Sequence, residues 1–163
     1  MTRRLFTLLL LFIMPVCVLF ADEIMHVSYG KVSVDLPAGW LAQSLSDATV
    51  VFVFYSPEEM NDEFRERITI TSGERDEELK DNLVIHDLKS NFLDFYDDYE
   101  ILSEGFNNII IEGDLGGFRV KQYIKFIIKK KRAYCITATA LPDTYDDWEI
   151  VFKDIIKSIK IKN

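Results

Sequence analysis

Hydrolysis by a nucleophile and a base needs a serine or cysteine beside an imidazole, and this chain of 163 residues carries two histidines, His26 and His86. Neither stands in a nucleophile-elbow or papain-like context. His86 falls in a helical stretch, where a partly buried packing role is expected. His26 belongs to a strand-like stretch near the start of the chain. No HExxH and no paired CxxC spacing offers a zinc site. The run GDLGG (113–117) lacks the Lys-Ser/Thr of a phosphate-binding loop and opens no expected helix, so its glycines are expected to serve a turn. No catalytic residue, cofactor or bound metal is assigned, and the chain is not expected to be an enzyme.

Charge offers more. Two acidic clusters stand out: Asp94, Asp97 and Asp98, expected on one helical face, and Asp143, Asp146, Asp147 and Glu149, at the start of a second helix. Hard cations such as calcium or manganese take several oxygens, but neither cluster has the EF-hand spacing. A solvated face and a helix cap are expected, with a weak cation site as the alternative. Lys129, Lys130, Lys131 and Arg132 form a concentrated basic patch on a chain of net charge -8. These four are the candidate partner-binding residues. They suit an acidic partner or a weak contact with an anionic membrane surface, where each charge is worth about 1 kcal/mol; a charged hairpin tip also keeps strand edges soluble. The acidic balance argues against nucleic acid, whose binding relies on Lys and Arg neutralising phosphates.

The elements that must position these groups follow from pattern. Residues 1–21 have the layout of a secretory signal peptide: Arg3 and Arg4, an apolar run over 5–20, then Ala21 before Asp22 and Glu23. Cleavage near Ala21 is expected, leaving residues 22–163 as one domain; a retained anchor and lipidation at Cys17 are the alternatives. After cleavage only Cys135 remains, so no internal disulfide forms, and its apolar surroundings suggest a small buried hydrophobe. Strands are expected at 24–29 and 31–36, joined around Gly30, then at 50–55, a run apolar throughout that calls for cover on both faces, and at 66–72. A helix is expected to start near Asp76 and run to about Tyr99, followed by strands at 101–104 and 108–112. A long hairpin spans 117–141, with Phe118, Val120, Ile124, Phe126 and Ile128 on one face. An amphipathic helix opens at Asp143 or Thr144, with Trp148, Val151, Phe152, Ile155, Ile156 and Ile159 at offsets of three and four and Lys157 and Lys160 near its end. Short connections between strands imply a largely antiparallel sheet, and the class is α+β.

The order of elements and several strings resemble the PsbP-like superfamily, which includes PsbP and DcrB-type exported proteins and the Ran-binding nuclear import factors. They are VSVDLPAGW (32–40), VVFVFYSP (50–57), ILSEG (101–105), IEGDLGG (111–117), AYCITATAL (133–141) and IIKSIK (155–160). The resemblance implies an antiparallel sheet sandwiched between helices, an α/β/α sandwich, and a role in accessory binding. The expected function is that of a periplasmic or secreted, non-enzymatic binding protein of the cell envelope, whose partner is an envelope protein or assembly. The alternative is a periplasmic protein binding a small ligand or a divalent cation, with Trp40, Trp148 or the acidic clusters lining a pocket.

Overall fold

The structure, a computed structural model, describes residues 23–44, 50–57, 64–74 and 81–162. The leader expected over 1–21, with Cys17 and Ala21, and the helix start expected near Asp76 lie outside the described residues.

Among the described residues, ten strands and two helices follow in the order β1 (Ile24–Tyr29), β2 (Val32–Pro37), β3 (Leu41–Gln43), β4 (Val50–Tyr55), β5 (Arg67–Glu74), α1 (Asp81–Leu93), β6 (Tyr99–Glu104), β7 (Asn108–Leu115), β8 (Phe118–Lys129), β9 (Arg132–Ala140), α2 (Tyr145–Ser158) and β10 (Lys160–Ile161). A seven-stranded sheet runs β3-β4-β5-β9-β8-β7-β6, and a three-stranded sheet runs β1-β2-β10. Every pairing is antiparallel. Gly116 and Gly117, at φ 61° and 88°, make the tight turn from β7 to β8, a conformation other residues adopt only at a cost.

Strand alternation sends side chains to two separate cores. On one face Phe52, Phe54, Ile68, Ile70, Tyr134 and Ile136 meet Phe152, Ile155 and Ile156 of α2, together with Val32, Val34 and Leu36 of the small sheet. On the other, Ile109, Ile111, Ile124 and Phe126 meet Ile85, Leu88 and Phe92 of α1. Val53 is buried with the opposite parity to Phe52 and Phe54, as expected of a strand covered on both faces.

Several expectations are corrected. The first helix ends at Leu93 instead of about Tyr99, because residues 94–98 turn the chain back onto Gly113 and Tyr99 opens β6. Asp94, Asp97 and Asp98 therefore share no helical face. His86 is exposed, its side chain 82% open to solvent beside Asp87. Lys160 leaves the helix to pair with Ser33, an alternative to helix that no local pattern advertises. Strand β3 was also unforeseen, since its three exposed residues have no inward face.

Candidate functional site

The β8–β9 hairpin brings the four expected basic residues to one tip, with Lys129 opposite Arg132 at the last rung of the ladder. Lys130 takes a left-handed φ of 53°, which disfavours any side chain with a Cβ. Arg132 is held 3.4 Å from Glu74 at the end of β5, so the tip is offset by at least one carboxylate.

Three residues of the two acidic clusters, Asp98, Asp146 and Glu149, meet three different cations. Asp146 meets Lys121 at 3.0 Å and Glu149 meets Lys153 at 3.0 Å. Asp98, Glu112 and Asp114 surround Arg119 at 3.4, 3.1 and 3.4 Å. The guanidinium already occupies the place a metal would take, and the Glu112 hydrogen bond strengthens its hold on its proton. Among the described residues, no three His, Cys, Asp or Glu side chains are grouped to hold a metal ion. Trp40 and Trp148 pack against each other. Their rings stand 5.9 Å apart, edge to face, and Trp40 packs on Phe152 inside the α2-side core.

Three arrangements go beyond the residues that the sequence patterns single out. The first is a cavity of about 310 Å³ lined by Thr71, Ser72, Gly73, Glu74, Leu88, Ala133, Tyr134 and Cys135. Burial pushes the Cys135 thiol up to about 11, against weaker help to the thiolate from Thr137 and Thr71.

The second is a line of hydrogen bonds on the β1–β2 ribbon. Asp35 accepts from His26 Nδ1 at 2.6 Å, which leaves Nε2 to accept from the Ser28 hydroxyl at 3.1 Å. The register places His26 opposite Asp35 across the strands, with Ser28 two residues on. That order of bonds matches a hydrolase triad, but the imidazole is 61% exposed on an open ribbon. Water there competes with each proton transfer.

The third lies between α1 and the sheet. Tyr96 donates to Gln122 Oε1, and the Gln122 amide donates to Thr139 Oγ1 at 2.7 Å. Burial raises the Tyr96 phenol well above its ordinary range. Gln122 falls on the inward parity of β8, between Val120 and Ile124, and that polar interruption of an apolar alternation was the available signal. From this network an aromatic chain runs outward. Phe126, Phe92, Tyr96 and Tyr99 follow one another at centroid spacings of 6.4, 5.9 and 6.3 Å, with Phe95 branching from Phe92 at 6.3 Å. The chain starts in the core and ends in solvent, beside the outer strand of the sheet. Gly113 permits this path: a Cβ there would lie 2.7 Å from the Asp98 carbonyl and 2.9 Å from Tyr96 and Tyr99. Gly113 thus serves close packing and not a turn, unlike Gly116 and Gly117.

Comparison with solved structures decides the architecture. The cyanobacterial PsbP (CyanoP) of Synechocystis superposes with a TM-score of 0.57 at 12% identity, over 89% of this chain and 95% of that one. The fold is PsbP-like. LpqN of Mycobacterium tuberculosis, described as involved in cell envelope biogenesis, shares it with a TM-score of 0.60 and 12% identity over 88% of this chain and 92% of its own. The Ran-binding protein Mog1p of Saccharomyces cerevisiae does so with a TM-score of 0.57 and 11% identity over 86% and 96%. No family model and no curated protein matches the sequence. At such identities the PsbP-like fold reflects shared packing; it assigns no residue a role.

Proposed function

We propose that this protein is an exported, non-enzymatic binding protein of the cell envelope, built as a PsbP-like sandwich with α1 on one face of the sheet and α2 on the other. The observation that carries the reading is the PsbP-like fold shared, over nearly the whole described chain, with a protein involved in envelope biogenesis. The leader-like residues 1–21 support export to the periplasm or beyond. Engagement by surface is supported by the α2-side core, where both tryptophans pack, and by the pairing of Asp98, Asp146 and Glu149 with Arg119, Lys121 and Lys153. The basic tip at Lys129, Lys130, Lys131 and Arg132 serves as a secondary contact with anionic headgroups or an acidic partner.

Photo-crosslinking residues placed singly at Lys130 and at Phe106 in the native host test this. Recovery of the same envelope protein in repeated experiments is expected from at least one position. The absence of any adduct from both would overturn the reading.

The cavity beside Cys135 favours a second reading, a small apolar ligand held between α1 and the sheet. Such a ligand would raise the thermal midpoint of the wild-type protein and not that of Leu88→Trp, which fills the space.

A further inference from the structure

We propose that the outer edge of β6 is a strand-docking site for an extended segment of a partner protein, one in which basic residues alternate with apolar ones. The proposal rests on the envelope-binding reading and names the partner chemistry that reading leaves open.

Among the described residues, strand β6 is the last of the seven-stranded sheet and pairs only with β7. All six of its residues are exposed. Its outer backbone amides and carbonyls are thus offered to solvent, as a template for a further strand. Of the twelve large apolar side chains that the described residues expose, five fall between residues 95 and 106: Phe95, Tyr99, Ile101, Leu102 and Phe106. Such concentration at one edge marks a contact surface, since scattered apolar residues are ordinary and clustered ones are not. The register breaks between Ile101 and Ser103, so Leu102 is an extra residue and re-aims its neighbours at the rim. The other free edges differ. Strands β3 and β10 offer three and two residues, and Tyr29 of β1 already packs on Phe52 at 5.7 Å.

Charge selects the occupant. Residues 94–104 contain Asp94, Asp97, Asp98, Glu100 and Glu104 and no lysine or arginine. Lys89 takes Glu104 at 2.8 Å, and Arg119 divides itself between Asp98, Glu112 and Asp114. The rim stays negative. A second copy of this chain is disfavoured, because antiparallel self-pairing centred on Leu102 would set Glu100 against Glu104 of the other copy, like charges directly across strands. A strand bearing Lys or Arg at alternate positions meets those carboxylates, while its apolar face lies along Tyr99, Ile101 and the exposed end of the aromatic chain.

The probe is a blocked, fluorescent ten-residue peptide of alternating lysine and valine. It is compared with a glutamate–valine counterpart and with a lysine peptide of equal charge in which prolines remove the strand hydrogen bonds. Fluorescence anisotropy should show the lysine–valine peptide binding at least tenfold more tightly than either control, and amide exchange should slow in Tyr99–Glu104. Glu100→Lys, checked for an unchanged circular dichroism spectrum, should weaken binding at least threefold. Equal binding of the proline peptide, or protection confined to another edge, would overturn the proposal. Strand docking falls on this assay even when crosslinking at Lys130 captures a partner. The envelope-binding reading falls when Phe106 and Lys130 both capture nothing, whatever the peptides do.

Discussion

The two faces of the main sheet are built differently. The α2 face is closed by apolar packing: Tyr145, Phe152 and Ile155 are each no more than 2% exposed and meet β-sheet side chains of the same kind. The α1 face holds a shorter helix, a buried tyrosine–glutamine–threonine chain, a cavity, and aromatic rings that continue into solvent. Packing that closes completely leaves nothing to present to a partner. The α2 face therefore supplies stability, and the contact proposed above lies on the side of the α1 face, with its polar network and open edge.

The largest test of this contrast is Phe152→Ala, expected to lose about 3–5 kcal/mol in urea unfolding, against a smaller loss for Phe92→Ala, whose ring is only partly buried. Equal losses would mean that the two faces share the load. Next comes Gln122→Leu, which strands the Tyr96 and Thr139 hydroxyls and should lose about 1–3 kcal/mol. Adding Tyr96→Phe and Thr139→Val should return much of that loss. Additive losses would break the idea of a linked network.

Alkaline unfolding sharpens the comparison across both faces. Burial raises the phenols of Tyr96 and Tyr145 above the ordinary 10.0. The unfolded chain then releases those protons first as pH climbs through 10, so stability should fall there. The double variant Tyr96→Phe, Tyr145→Phe should flatten that fall, and an unchanged slope would disprove the assignment. At Cys135, a thiol pushed to about 11 leaves roughly one thiolate in a thousand at pH 8. Alkylation by iodoacetamide should run about a hundredfold slower in the folded protein than in urea, and comparable rates would show that the cavity exposes the sulfur.

The smallest effect is expected at the surface. The Lys89 hydrogen bond lowers the Glu104 carboxyl below its usual 4.5. Its contribution is present above that value and lost as pH falls through the lowered one. The stability gap between wild type and Lys89→Met should shrink on acidification, and a gap independent of pH would assign the lysine a packing role only.

Local pattern determined much of this protein. The alternation of Val32, Val34 and Leu36, the apolar run of β4, the long β8–β9 hairpin and the stripe of α2 were legible because each buries one face, or in β4 both, along its own length. The basic tip was legible for the same reason: turn and strand ends are neighbours in sequence. The antiparallel sheet and the PsbP-like resemblance followed from the order of those elements. Tertiary structure alone decided what depends on distant partners. The end of α1 is set by the close approach of residues 94–98 to Gly113, and Lys160 leaves its helical spacing because Ser33 offers a strand. Asp35 meets His26 across a hairpin, Gln122 finds Tyr96 and Thr139 on other elements, and the carboxylates find Arg119. The edge of β6 is open because no other described segment pairs with it in the sheet. Side-chain periodicity records which face of an element is buried, and carries no information about which element, if any, lies beside it.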